Sequence, residues 1–138
     1  MIETLTPAPE NTCFGCGGGN PHGLRLSFEL DHERRQVRGQ FRLASEFQGS
    51  QGILHGGIIA VLLDEAMGKL SRLHGVRAVT AELQVEYLRP IAAGQDIAVL
   101  AEESRCEGRN LYFQAEIRDC EGKPLARGRG RFVEVARR

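Results

Sequence analysis

The feature that most constrains the fold is one long segment, roughly 56–74, that is apolar on nearly every side of a helix. Its apolar residues recur at helical spacing and cover most of the circumference, which is typical of a buried helix. Gly75 follows as a natural stop. The sequence therefore predicts one central helix, which the rest of the chain or a second copy has to cover.

Most of the remaining chain alternates between apolar and polar residues, as half-buried strands do. Residues 1–22 are the exception, because prolines and a run of glycines favour an irregular segment there. We therefore predict a single α+β domain over 1–138, with an antiparallel sheet wrapped around the helix. One sheet covers only one side of a helix, so a homodimer is also predicted. The six predicted strands are 24–30, 37–43, 79–87, 97–103, 111–118 and 125–135.

The charge balance argues against two classes of partner. The basic and acidic side chains cancel to a formal net charge of zero, so no broad basic field favours nucleic acid or an anionic membrane. The longest apolar run, 58–63, is far shorter than the roughly 20 residues that cross a bilayer. The first twelve residues lack the regions of a secretory signal. We therefore expect a cytoplasmic protein with neither nucleic-acid nor membrane partners.

Two of the four cysteines, Cys13 and Cys16, form a C-x-x-C pair, and His22 follows closely. The spacing is compatible with zinc, but a closed structural site takes about four ligands. Neither a second C-x-x-C nor an H-x-x-x-H occurs in the chain. The sequence favours a glycine-rich turn that leads into the first strand, and it predicts neither a metal nor another cofactor.

A polar turn, His55-Gly56-Gly57, begins the apolar helix. Backbone N–H groups in the first turn of a helix have no acceptor within it and point at whatever lies there. Two glycines allow a ligand to approach closely. The turn is either an ordinary helix entry or a place where negative charge developing on a carbonyl oxygen is stabilised.

Two adjacent carboxylates, Asp64 and Glu65, interrupt the apolar run. A carboxylate inside a buried helix is costly unless it has partners or a task, so one of them is a candidate general base or nucleophile. The alternative is a thin solvated stripe. Adjacent helical residues point about 100° apart, so the two side chains have different surroundings. His55 and Asp64 would face opposite sides of one helix, which favours a site completed by two helices in a dimer.

These motifs resemble those of hotdog-fold acyl-CoA thioesterases of the phenylacetate-pathway and thioesterase-superfamily-member type. The similarity extends from Cys13 almost to Val135, and its most specific portion is H-G-G-x-x-A-x-x-x-D at 55–64. The resemblance implies a curved sheet around one helix, assembled into a homodimer or a homotetramer. It also implies hydrolysis of an acyl-CoA to the free acid and CoA. Further matching motifs are C-F-G-C at 13–16, N-P-x-G-L at 20–24 and Y-x-R-P at 87–90.

The resemblance also implies roles for individual residues. Asp64 is expected to act as general base or nucleophile, and the Gly56 amide to bind the thioester oxygen beside Gly57. His55 is expected to order the turn or assist, and Thr80 to position the water. The residues expected to contact acyl-CoA are Gln48, Arg89, Gly108, Arg109 and Asn110.

Two other functions remain open on the sequence. One is a non-catalytic module that binds acyl-CoA or an acyl carrier, because one fold can host several functions. The other is a structural or interaction protein with a vestigial site. Asp64 argues against the latter, because an idle buried acid lowers stability. The sequence does not indicate the acyl group.

Overall fold

The computed structural model describes residues 1–138 as one long helix held against an antiparallel sheet of seven strands. The helix, α1 (Gly56–Lys69), continues into a 3₁₀ turn at Leu70–His74, and another 3₁₀ turn lies at Ser45–Phe47. The strands are β1 (Ile2–Leu5), β2 (Phe28–Asp31), β3 (Gln36–Arg42), β4 (Val76–Tyr87), β5 (Asp96–Glu107), β6 (Asn110–Arg118) and β7 (Pro124–Arg137).

The order of strands across the sheet is β1-β2-β3-β5-β6-β7-β4, and every neighbouring pair is antiparallel. The predicted helix over 56–74 is confirmed, as is the sheet around it. None of the helices has both the length and the apolar character that crossing a bilayer takes. The side chains that α1 buries are Ile59, Leu62, Leu63, Ala66 and Met67.

The opposite side of α1 is covered less completely by this chain. Ile58, Ala60 and Val61 are only partly buried, although the sequence pattern predicts an apolar surface there. The edge strand β4 is also open, with Leu83 and Tyr87 38% and 52% exposed. Apolar side chains therefore remain accessible on both the helix and the neighbouring sheet edge.

Two predictions near the N-terminus are wrong. Residues 1–22 are not irregular throughout, because β1 pairs with β2, with Ile2 opposite Asp31. The predicted strand over 24–30 begins only at Phe28. Arg25 has a φ of 51°, which interrupts an extended chain, and the Leu26 N–H donates to the Gly15 carbonyl at 2.9 Å. The alternation over 24–30 thus reflects burial without strand pairing in its first half.

Candidate active site

The turn at the start of α1 is fixed by two side chains. His55 is the N-cap residue, and its Nδ1 accepts a hydrogen bond of 2.9 Å from the Gly57 N–H. The Tyr87 hydroxyl donates to the Gly56 carbonyl at 2.7 Å. Since the Gly57 amide is occupied by His55, the Gly56 N–H is the amide of this pair that has no protein acceptor. The turn therefore presents one free donor to an incoming oxygen.

Asp64 lies two turns further along α1 and has one defined partner. The Thr80 hydroxyl donates to Asp64 Oδ1 at 2.7 Å. Thr80 is directly opposite the buried Phe132 on β7, so both side chains lie on the helix side of the sheet. The protein donates no hydrogen bond to the second oxygen, Oδ2, which can therefore accept one from a water.

Burial raises the pKa of Asp64 above the usual value for an aspartate. The hydrogen bond from Thr80 opposes this effect, and the negative charge of Glu65 adds to it. Asp64 is thus a partly desolvated carboxylate with a raised affinity for a proton. Such a group is chemically suited to take a proton from water or to attack a carbonyl carbon.

Glu65 points away from Asp64, as the 100° rotation between adjacent helical residues predicts. Its Oε1 accepts from the Cys13 thiol at 3.3 Å, and its Oε2 lies 3.8 Å from the Lys69 ammonium. The two adjacent acids therefore serve different surroundings. Only Asp64 faces the hydroxyl of Thr80.

Within one chain, the free amide and the carboxylate are far apart. Gly56 and Asp64 are separated by two helical turns, about 12 Å along the axis. A carbonyl group whose oxygen is held about 3 Å from that amide cannot place its carbon about 3–3.5 Å from the Asp64 carboxylate, and one bridging water would extend this reach by less than about 3 Å. The structure of one chain therefore does not bring the Gly56 amide and the Asp64 carboxylate together.

The residues predicted to contact acyl-CoA also fall into separate groups. Arg89 donates to the Pro124 carbonyl at 2.7 Å, beyond the end of β4. Arg109 donates to the Glu134 carbonyl at 2.9 and 3.2 Å, and its neighbours Gly108 and Asn110 share the β5–β6 turn. The two carbonyl groups that Arg89 and Arg109 contact, those of Pro124 and Glu134, lie about 30 Å apart along β7. A single phosphate cannot contact both arginines of one chain.

Gln48 has a structural partner in this chain. Its side-chain oxygen accepts from the Gly52 N–H at 3.0 Å, and its backbone forms an isolated bridge with Leu54. Gln48 thus braces the loop that leads into His55. Asn110 is similarly engaged, since its side-chain oxygen accepts from Arg131 at 3.0 Å.

Tyr87 is a site residue to which the sequence analysis assigns no role. It belongs to the Y-x-R-P motif after the helix, but its neighbours in sequence do not reveal its contact with Gly56, 31 positions away. The only sequence signal is an aromatic residue that ends an alternating strand. The structure shows that this residue holds the backbone whose amide is free.

One long helix held against an antiparallel sheet of seven strands is the architecture of the hotdog fold. The family profile described as thioesterase superfamily matches residues 51–126, more than half of the chain. The chain belongs to the thioesterase superfamily. The matched residues run from the loop before His55 to β7, and thus include Gly56, Asp64 and Thr80.

Known proteins of similar sequence and structure agree with this family. The chain is 33% identical to mouse acyl-coenzyme A thioesterase THEM4 over 105 residues, which cover 75% of this chain and 45% of that protein. This chain therefore spans less than half the length of that relative. The crystal structure of RHA08564, a thioesterase superfamily protein, superposes with a TM-score of 0.81 at 27% identity, over 88% of this chain and 60% of that one.

A second structural neighbour is smu.793 from Streptococcus mutans UA159, which was solved bound to acetyl CoA. It superposes with a TM-score of 0.71 at 18% identity and covers 75% of this chain and 83% of that one. At this identity the likeness shows a shared fold. The predicted hotdog fold and the predicted family are both confirmed.

Proposed function

We propose that this protein is an acyl-CoA thioesterase that hydrolyses its substrate to the free acid and CoA, with Asp64 as the general base. The observation that carries the proposal is the hydrogen bond from Thr80 to Asp64, which fixes one carboxylate oxygen and leaves the other for water. Family membership supports the reaction class. The neighbour bound to acetyl CoA supports CoA as the carrier.

In the proposed reaction, Asp64 accepts a proton from water as the water oxygen attacks the thioester carbon. Negative charge then develops on the carbonyl oxygen, where the Gly56 amide and the helix N-terminus stabilise it. The carbon–sulfur bond breaks, and the proton held by Asp64 passes to the departing CoA sulfur. Direct attack by Asp64 is the alternative, and it would form a mixed anhydride that water then hydrolyses.

We further infer that a homodimer completes the active site, with Gly56 from one chain and Asp64 from the other. The separation of about 12 Å between them in one chain supports this assembly. The exposed apolar side chains of β4 and the partly buried ones of α1 supply a surface for a second copy. A homotetramer would be a pair of such dimers.

Release of the CoA thiol from a panel of acyl-CoAs tests the proposed reaction. Asp64→Asn keeps the size of the side chain and removes the base, so we expect kcat to fall roughly 10²-fold or more with little change in KM. Thr80→Ala should reduce kcat less, because Thr80 only positions the acid. Incorporation of heavy oxygen from labelled water into Asp64 during a single turnover would identify the nucleophilic route instead.

Asp96→Asn provides the matched control for this experiment. Asp96 forms an exposed ion pair with Arg42 at the start of β5, so this variant should retain the kcat of the parent. A parent protein that binds acyl-CoA without releasing CoA would instead support the binding module. Full turnover by Asp64→Asn would mean that the acid is misassigned.

A further inference from the structure

The C-x-x-C turn near the N-terminus lies against the central helix. The Cys13 thiol is 3.3 Å from Glu65 Oε1, and both cysteines are partly buried. The sulfur atoms of Cys13 and Cys16 and a carboxylate oxygen of Glu65 all lie within 4.8 Å of one another. Tetrahedral zinc with ordinary bond lengths places two sulfurs and an oxygen about 3.5–3.8 Å apart. Three ligand atoms are thus grouped at nearly the spacing that a metal requires.

The backbone around these atoms is shaped to admit the carboxylate. Gly15 lies between the two cysteines and is buried, and a Cβ at this position would overlap the side chain of Glu65. Glycine is therefore required for Glu65 to reach the turn. The turn itself is closed by a hydrogen bond of 2.9 Å from the Gly17 N–H to the Cys13 carbonyl. The approach of Glu65 is consequently part of the fold.

Two further groups suit a pair of thiolates. The Asn11 amide lies 3.9 Å from Cys16 Sγ, oriented as a donor. Lys69 lies beside Glu65, with its ammonium 3.8 Å from Glu65 Oε2, and so brings a positive charge next to the cluster. Donors directed at sulfur favour the thiolate, which is the form that binds metal.

The charges of the cluster balance with and without a divalent cation. Without one, two neutral thiols accompany Glu65 and Lys69, whose charges cancel. With Zn²⁺, two thiolates and the Glu65 carboxylate contribute three negative charges, while the metal and Lys69 contribute three positive ones. The exchange binds one Zn²⁺ and releases two protons to solvent. Lys69 therefore neutralises the loaded cluster instead of opposing it.

We propose that Cys13, Cys16 and Glu65 form a zinc site with water in the fourth position. The two sulfur ligands favour zinc over magnesium or calcium. Such an ion would tie the N-terminal segment to α1 at the residue next to Asp64. The site is distinct from the proposed hydrolytic one, because none of its ligands forms a hydrogen bond with Asp64, Thr80 or the turn at Gly56, although the charge of Glu65 contributes to the raised pKa of Asp64.

This proposal revises the expectation of no metal drawn from the sequence. That expectation counts Cys13, Cys16 and His22 as the available ligands. His22 is exposed and is not part of the cluster. Glu65 takes its place from a position 52 residues away from Cys13, which no local spacing pattern reveals.

The first test uses the full chain, reduced, freed of metal with a chelator and titrated with Zn²⁺ alone. We expect one ion per chain, release of about two protons per ion near neutral pH, and protection of two of the four cysteines from a thiol reagent. Cys106 and Cys120 are exposed and should stay reactive. Substitution by Co²⁺ should give a sulfur-to-cobalt charge-transfer band, and Zn²⁺ should raise the melting temperature.

Variants locate the ion within the chain. Cys13→Ser, Cys16→Ser and Glu65→Gln should each weaken zinc binding, by about 10²-fold for the cysteine variants. Cys106→Ser is the matched control and should bind as the parent does. Stoichiometry, proton release and thiol protection are measured on the parent protein, so they test the proposal even if a variant folds poorly.

Three outcomes would overturn the proposal: no stoichiometric binding by the reduced parent, binding without release of protons, or binding by the Cys13→Ser and Cys16→Ser variants that is as tight as that of the parent. Failure of the reduced protein to bind Zn²⁺, together with ready formation of a Cys13–Cys16 disulfide on mild oxidation, would overturn the zinc site and assign the pair to redox chemistry instead. Loss of hydrolysis in Asp64→Asn with zinc binding intact would show that the two sites are separate.

Discussion

The partly buried carboxylate of Asp64 links the pH dependence of activity to that of stability. A general base has to be ionised to accept a proton, and burial raises the pKa of Asp64. We therefore expect kcat/KM to decline on the acid side at a pH above the ordinary aspartate value of about 3.9. A pH–rate profile measures this decline, and an acid limb at or below the ordinary value would contradict it.

Stability should follow the same titration with a definite sign. Because the pKa of Asp64 is higher in the native state than in the unfolded chain, the free energy of unfolding falls as pH rises through the interval between the two values. Asp64→Asn removes this loss. The variant should therefore be more stable than the parent at neutral pH, and the difference should vanish below about pH 3.9.

Denaturant unfolding across this pH range measures the effect, and Asp96→Asn again serves as control. The hydrogen bond from Arg42 holds the pKa of Asp96 below its ordinary value. Its contribution to stability is therefore present at neutral pH and is lost in acid. The two asparagine variants should change stability in opposite directions at neutral pH. Destabilisation by both would contradict the account of Asp64.

Arg89 and Arg109 keep free guanidinium N–H groups after their backbone contacts. If each contacts a CoA phosphate, Arg89→Ala and Arg109→Ala should raise KM by about tenfold, which corresponds to roughly 1.4 kcal/mol. The change in kcat should be smaller, because the phosphate contact is the same in the ground and transition states. Arg42→Ala is the matched control, and an unchanged KM in both variants at low salt would remove the assignment.

At the scale of elements, α1 is packed closely on β7. Gly128 lies under the helix, and a Cβ there would come within 3.3 Å of both Leu63 and Met67. Gly128→Val should therefore lower the free energy of unfolding by about 1–3 kcal/mol through overpacking. Gly68→Ala has room, with Phe132 at 3.6 Å, and should be stabilising by roughly 0.5–1 kcal/mol. Equal effects of the two in denaturant melts would contradict this packing.

Sequence pattern predicts elements well where burial is periodic and the chain is locally extended or helical. The apolar helix and the four later strands satisfy these conditions. Prediction from sequence pattern fails for β1, whose pairing depends on β2 more than twenty residues later. It also fails at 24–27, where buried alternation coincides with the left-handed backbone of Arg25.

Sequence pattern likewise predicts only part of the candidate site. The polar interruptions of an apolar helix single out Asp64 and the His55–Gly57 turn. A buried charge is costly, and amides in the first turn of a helix have no acceptor within it. The contacts that Thr80 and Tyr87 make with α1 are harder to predict from sequence pattern, since they depend on how β4 is placed against α1. The proximity of Glu65 to Cys13 required the three-dimensional structure.

At the scale of the whole molecule, the central claim is that each active site combines two chains. Light scattering should give at least a dimer, because apolar side chains of β4 are exposed and those on one side of α1 are only partly buried in a single chain. A fully active monomer would exclude a composite site. A sharper measurement uses two inactive variants, one of which lacks the Gly56 N–H group and the other the Asp64 carboxylate.

Gly56→Pro is suited to remove the amide donor while leaving Asp64 in place. It removes the free N–H at the first position of α1, where proline is well tolerated. The preceding residue, His55, already has the extended ψ of 135° that a following proline favours. The complementary variant is Asp64→Asn, which keeps the amide and loses the base.

The decisive measurement is thiol release by the two variants, first alone and then after they are refolded together in equal amounts. Half of the dimers in the mixture should be mixed, and each mixed dimer should contain one intact site, so about one quarter of parental activity should return. Each variant alone should be nearly inactive. A mixture no more active than its separate components, although mixed dimers have formed, would contradict a site built from Gly56 of one chain and Asp64 of the other.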